Sequence, residues 1–245
     1  MILGIDVGGS GIKGAIVDLD TGAFASERVR IPTPEVSSPE NCARTMASII
    51  RRLAPKQKDL RIGITVPAPV VHGVIPMIAN LDPSWKDLPA EDFLSEQLKR
   101  PVTLINDADA AGIAEVYYGA AKGVPGIVVV TTLGTGIGSA LINNGVLLPN
   151  TEFGHIEVDG YDAETRASAG VREREDMSYA DWAKRLDWFY QAVERLIWPD
   201  LFVVGGGVSK NHEQFLPLLH LRTPIIPAAL RNRAGIVGAA WAAAH

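Results

Sequence analysis

Three short strings of this chain combine side chains able to hold a polyanion, a metal ion or a hydroxyl group. Asp6 stands just before Gly8-Gly9-Ser10-Gly11, with Lys13 following. A carboxylate there can hold hydrated Mg²⁺ against donor phosphates through water, because Mg²⁺ sheds its shell reluctantly. The alternative is a turn aspartate bonding its own backbone. Lys13 either points at phosphate or lies on the exposed face. Asn106-Asp107 closes an apolar run, where a carboxylate can be aimed to accept a hydroxyl proton during phosphoryl transfer to a sugar. Asp107 is the candidate base and Asp109 the less favoured neighbour, while the same pair also makes a good helix N-cap. Glu152-Phe153-Gly154-His155 offers an acceptor and a donor-acceptor pair for vicinal sugar hydroxyls. Without context it reads as a surface loop with a solvated histidine.

The first of these strings sits in a local device that the chain carries twice. Residues 2–18 read ILGIDVGGSGIKGAIVD and residues 127–143 read IVVVTTLGTGIGSALIN. Each runs apolar, breaks at small residues and resumes apolar, the pattern of buried strands joined by a tight turn. Glycines in the turns, Gly8, Gly9 and Gly11 in the first and Gly134 and Gly136 around Thr135 in the second, are expected to take φ > 0 and converge N–H groups on an anion. A polyanion gripped from both sides between two related lobes, a kinase-like arrangement, is the expectation. Gly9, Gly11 and Gly14 also satisfy G-x-G-x-x-G, but Ala15-Ile16-Val17 leads to a turn cluster and not to the helix a dinucleotide fold needs. No G-x-x-x-x-G-K-[ST] string occurs, so a Walker-type loop is absent as well.

The remaining pattern positions these turns. Helical spacing is read over 41–53, 92–99 and from 107 to about 118, and strands over 61–66 and 101–105. Tyr179 to Trp198 places Trp182, Leu186, Phe189, Val193 and Leu196 on one helix face. Leu201 to Val204 runs into Gly205-Gly206-Gly207, a third glycine turn, and 234–244 is a small-residue helix suited to close packing. With 47% hydrophobic and 21% charged residues, the composition is that of a globular protein with room for two lobes. A net charge of −5 argues against nucleic-acid binding over the whole surface. Cys42 is the only cysteine, which rules out an internal disulfide and a cysteine-rich zinc site and makes a reduced, cytoplasmic compartment the default. Met1 leads directly into the first strand and no run reaches membrane-spanning length, so neither export nor a membrane partner is expected.

Taken together, DVGGSGIKG, NDADAAG, LGTGIGSA, NTEFGH, WPDLFVVGGGVS and TPIIPAALRNRAGIVGAA resemble the ROK sugar kinases, and within them the actinobacterial-type polyphosphate glucokinases. The resemblance covers essentially the whole chain. It implies an α/β, two-lobed, actin-like (ribonuclease H-like) sugar kinase fold with a cleft between lobes. A smaller N-terminal lobe would span 1–108, with the 234–245 helix packing back onto it, and a larger C-terminal lobe 109–233. By position, Asp107 matches the general base, Asn106 the adjacent sugar-binding asparagine, and Glu152 and His155 the sugar-hydroxyl ligands. Glu164 is the best match to a further sugar-binding glutamate, with Glu157 the fallback, and Asn80 resembles a sugar contact of the first lobe. Asp6, Gly8, Gly9, Ser10, Gly11, Lys13, Gly134, Thr135, Gly136 and Gly206 would serve the donor.

Two departures qualify the likeness. Relatives commonly carry a C-x-C-G-x-x-G-C zinc loop after the E-x-G-H motif, whereas Gly160-Tyr161-Asp162-Ala163 here leads straight to Glu164. Zinc is excluded on ligand count. Pro67-Ala68-Pro69 replaces the usual Pro-Gly, which restricts that loop's backbone. The implied reaction is phosphorylation of glucose at the 6-hydroxyl by inorganic polyphosphate, and also by ATP, with Mg²⁺. Lys122, Arg166, Arg172 and Arg231 are candidates for a basic polyphosphate track, and a homodimer is the expected assembly. The alternatives are an ATP-only glucokinase or glucomannokinase and a non-catalytic sugar sensor. A sugar-responsive repressor is disfavoured, since no helix-turn-helix string precedes Ile2 and Asp107 is retained.

Overall fold

A computed structural model describes residues 1–57 and 59–245. The described chain forms two compact units, residues 1–114 with 233–245 and residues 115–232, each built on its own sheet. In the first unit, β1 (Ile2–Gly8) and β2 (Gly11–Asp18) form an antiparallel hairpin closed by the Gly8–Gly11 pair. β3 (Ala23–Phe24) and β4 (Val29–Ile31) pair with β2. From β1 the sheet continues in parallel through β5 (Ile62–Val66) to β6 (Val102–Asn106). Every residue of β5 is buried, as in a parallel strand covered on both faces.

Helix α1 (Pro39–Leu53) starts where Ser38 accepts the Asn41 N–H and Pro39 occupies the first turn, a sequence-encoded start. Its Cys42, Met46, Ile49 and Ile50 pack with Leu3, Ile5 and Ile64. α2 (Ala90–Leu98) ends on Lys99 in the left-handed region, and α3 (Asp107–Tyr118) follows β6 without a loop. α3 runs through both the expected boundary at 108 and the division between Ala114 and Glu115.

The second unit repeats the hairpin with β7 (Ile127–Leu133) and β8 (Ile137–Asn143), extended by β9 (Val146–Leu148). A small hairpin, β10 (Glu157–Val158) with β11 (Tyr161–Asp162), precedes the short helices α4 (Glu164–Ala167) and α5 (Ala169–Arg174). After α6 (Tyr179–Ile197), β12 (Leu201–Gly205) and β13 (Ile225–Pro227) complete a sheet ordered β13-β12-β7-β8-β9. Trp182, Leu186, Phe189 and Val193 of α6 are buried in this unit's core, but Leu196 is 66% exposed. The packed face steps instead from Val193 to Ile197, the four-residue step that keeps a helical stripe aligned.

Helix α7 (Ala234–Ala242) returns to the first unit and lies on β1 and β5. Glycine marks each close approach: a Cβ on Gly4 would overlap the Ile236 carbonyl, one on Gly63 the Ala239 carbonyl, and one on Gly238 the Ala110 carbonyl. Backbone-to-backbone contact of this kind is what the small-residue composition of α7 permits. No described helix is long and apolar enough to cross a membrane.

Candidate active site

Strand β1 ends in the first glycine turn and delivers Asp6 two residues before Gly8. Lys13 Nζ lies 3.0 Å from Asp6 Oδ2, and the Thr65 hydroxyl donates to Asp6 Oδ1 at 3.0 Å. Lys13 is therefore neither an idle surface lysine nor an unengaged cation, because register across the hairpin places it opposite Asp6. Thr33 Oγ1 donates to the Gly8 carbonyl and an Arg30 guanidinium N–H to the Ser10 carbonyl at 2.9 Å. None of Gly8, Gly9 and Gly11 takes the positive φ expected of them. Only Gly11 is tightly approached: a Cβ there would press on the Arg30 guanidinium, whereas one on Gly8 or Gly9 would make ordinary contact. At the end of β6, Asn106 Nδ2 donates to the Ala68 carbonyl at 3.1 Å while its Oδ1 accepts the N–H groups of Ala108 and Asp109. Asn106 thus caps α3 and is anchored on the Pro67-Ala68-Pro69 loop. Asp107 opens the helix, and its Oδ1 accepts the Ala108 N–H at 2.8 Å.

In the second unit the turn between β7 and β8 is closed by a 3.0 Å bond from Gly134 N to the Gly136 carbonyl, and Gly170 N donates to the Gly134 carbonyl at 2.9 Å. Gly134 and Gly136 also lack positive φ, whereas Gly206 has φ of 82° and leaves no room for a Cβ against the Leu133 backbone. Ile137, the first residue of β8, organises the rest. Its N–H donates to Glu164 Oε2 at 3.0 Å, and its carbonyl sits where a Cβ on Gly154 would be. The glycine of the Glu152–His155 string therefore lets a turn of 3₁₀ helix (Phe153–His155) seat on the strand end. His155 Nδ1 is 2.9 Å from Asp162 Oδ2, and Asp162 Oδ1 accepts the Glu164 N–H at 3.1 Å.

Burial pushes the Glu152 carboxyl above its ordinary range, with His155 opposing and the Glu164 charge reinforcing the shift. The Asp162 hydrogen bond leads the factors that raise His155, aided by Glu164 and Glu152 and opposed by desolvation. His155, Asp162 and Glu164 offer ligand atoms within 4.8 Å of one another. Both Asp162 oxygens and Glu164 Oε2 already accept protein N–H groups.

A family model described as the ROK family matches residues 2–177. The chain belongs to the ROK family. It is 51% identical over 240 residues to the polyphosphate glucokinase of Mycobacterium tuberculosis, covering 98% of this chain and 89% of that protein. The polyphosphate glucokinase of Mycobacterium leprae is 48% identical over 243 residues, covering 98% and 73%. The crystal structure of an inorganic polyphosphate/ATP-glucomannokinase from Arthrobacter superposes with a TM-score of 0.95 at 50% identity, covering 99% of this chain and 98% of that one.

Within this ROK chain, Glu164 lies beside Glu152 and His155, while the fallback Glu157 is exposed on β10. Of the basic residues, Arg166 stacks over Tyr161 and Arg172 over Tyr179, with guanidinium carbons 3.4 and 3.9 Å from the ring centroids. Arg231 has φ of 51° and Lys122 is exposed. Three supporting residues escape sequence reading: Thr65, which orients Asp6; Asp162, which joins His155 to Glu164; and Glu115. The fully buried carboxylate of Glu115 accepts N–H groups from Ala120, Ala229 and Leu230. The available signal for Glu115 is an acid that follows the apolar, small-residue stretch Ala110 to Ala114 of α3, since a buried group of this kind needs partners.

Proposed function

We propose that the chain transfers a phosphoryl group from inorganic polyphosphate, and from ATP, to the 6-hydroxyl of glucose. The observation that carries this reading is half-identity along almost the entire chain to proteins named polyphosphate glucokinase. Asp107 takes the hydroxyl proton as the oxygen attacks in line, the task that phosphoryl transfer leaves to a carboxylate. The Ala108 N–H holds one Asp107 oxygen, and Asn106, fixed by three hydrogen bonds of its side chain, contacts the sugar beside it. Asn80, Glu152, His155 and Glu164 bind the other hydroxyls. Glu152 and Glu164 accept hydrogen bonds, and His155 presents Nε2 while Nδ1 is tied to Asp162. Gly8 to Gly11, Lys13, Gly134 to Gly136 and Gly206 serve the donor, with backbone N–H groups as the electrostatic contribution.

Mg²⁺ belongs to this reading, and the first unit fits it in hydrated form. Asp6 accepts one bond per oxygen, from Lys13 and Thr65, which leaves each oxygen able to accept from a metal-bound water. When bound, the ion supplies neutralisation of donor phosphate charge. Lys122, Arg166, Arg172 and Arg231 are the proposed contacts of the extended polyphosphate chain, and the active species is a cytoplasmic homodimer. Mannose is a second acceptor, a reading favoured by likeness to the Arthrobacter glucomannokinase.

The test is product analysis by ³¹P and ¹³C NMR after incubation of the purified protein with Mg²⁺, polyphosphate and glucose or mannose. The 6-phosphate is expected from both sugars, and phosphorylation at another position or none would overturn the proposal.

A further inference from the structure

His155 and Glu164 are joined by the β10–β11 hairpin, whose turn residues Asp159 and Gly160 both lie in the left-handed region, with φ of 49° and 79°. That is the two-residue type I′ geometry, the tightest link between two strands. Trp188 Nε1 holds the turn through Asp159 Oδ2 at 2.8 Å, and register pairs Glu157 with Asp162. Asp162 is thereby delivered to a fixed place. Its carbonyl accepts the Thr165 hydroxyl at 2.6 Å, its Oδ1 accepts the Glu164 N–H at 3.1 Å, and its Oδ2 lies 2.9 Å from His155 Nδ1. An ionised carboxylate only accepts hydrogen bonds, so Nδ1 carries the proton of this contact and Nε2 is the nitrogen left to face a ligand.

We propose that Asp162 is a positioning residue for acceptor-sugar binding, fixing the ring orientation and tautomer of His155 while holding the start of α4, and with it Glu164, in register. This rests on the reading of His155 and Glu164 as sugar contacts. One carboxylate performs both ties, so the two contacts move as a unit. The charged groups facing His155 are Asp162, Glu164 and Glu152, and all of them favour the protonated ring electrostatically.

Asp162→Asn separates the charge from the shape. An amide has a single acceptor oxygen, so with Oδ1 kept on the Glu164 N–H only the Nδ2 group is left for His155, and that group can only donate, which forces the opposite histidine tautomer. The glucose KM is expected to rise about tenfold, the loss expected from one charge-assisted hydrogen bond, with the change falling on KM rather than kcat. Asp162→Glu, which restores the charge, is expected to recover part of the loss.

The decisive measurement pairs glucose calorimetry with an NMR titration of the unliganded protein, the His155 signal being assigned by its absence in His155→Gln. The midpoint in wild type is expected above the ordinary histidine value and is expected to fall in Asp162→Asn, with glucose binding weakened about tenfold. An unchanged His155 midpoint, or undiminished glucose affinity in Asp162→Asn, would overturn the assignment. A wild-type protein that binds no glucose would overturn the sugar-site reading itself, an outcome calorimetry separates from the other two.

Discussion

Glu164 Oε2 accepts the backbone N–H of Ile137 at 3.0 Å, so the acid beside His155 also closes the mouth of the second glycine turn. A Cβ on Gly136 would collide with that same carboxylate, which explains the glycine there better than backbone conformation does. Glu164→Gln keeps an acceptor oxygen for Ile137, whereas Glu164→Ala leaves the N–H without its partner. Steady-state kinetics with glucose should show Glu164→Ala losing roughly tenfold more kcat/KM than Glu164→Gln. Equal losses would mean that the turn contact contributes nothing.

Asp107→Asn removes the proton acceptor while preserving size and the contact to the Ala108 N–H. Its kcat is expected to drop by about 10²–10⁴, with glucose affinity by calorimetry near that of wild type. Retained turnover would dismiss Asp107 as the base, and a parallel loss of glucose binding would recast it as a sugar contact alone.

The Gly63 and Gly238 positions test the packing of α7. Either Gly→Ala substitution must push α7 away from a carbonyl, of Ala239 in one case and of Ala110 in the other. Overpacking of this kind costs about 1–3 kcal/mol, read as a lower urea midpoint at unchanged slope. An unshifted midpoint would show that α7 slides without penalty.

Much of this arrangement is legible in the sequence, and for identifiable reasons. Hairpins at 2–18 and 127–143 announce themselves because apolar runs flank a cluster of small residues, and α6 because its large apolar side chains recur at helical spacing. Leu196 misleads because three- and four-residue steps both satisfy a helical stripe, and only packing chooses Ile197. The turn glycines mislead differently. Gly136 and Gly154 are fixed by neighbours distant in sequence, Glu164 and Ile137, and no local rule reveals such neighbours. Asp162 and Thr65 were hidden for the same reason, since a hydrogen bond to a functional side chain leaves no periodic trace.

Glu152 carries a pH dependence. Burial holds its carboxyl above the ordinary carboxylate range, so on acidification it gains a proton before an exposed glutamate would, at about pH 4.3. The kcat/KM for glucose is therefore expected to fall on an acid limb that begins above that value, and Glu152→Gln should flatten the limb. For stability the sign is reversed: the neutral form suits the folded site, so this residue favours folding more below its unfolded pKa than above its folded one. An acid limb unaltered in Glu152→Gln would contradict the assignment.

Asp6→Asn keeps the Thr65 contact but removes the charge that balances Lys13. The Mg²⁺ concentration giving half-maximal rate is expected to rise about tenfold, as for loss of one charged hydrogen-bond acceptor toward metal-bound water. A Mg²⁺ profile matching wild type would place the ion elsewhere.

The central claim is tested most directly by glucose 6-phosphate formation from nucleotide-free polyphosphate, beside ATP at matched phosphoryl concentration, using wild type and Asp107→Asn. Turnover with both donors, lost with both in the variant, is the predicted result. Turnover with ATP alone would contradict the polyphosphate assignment, and no turnover with either donor would contradict the assignment of a kinase.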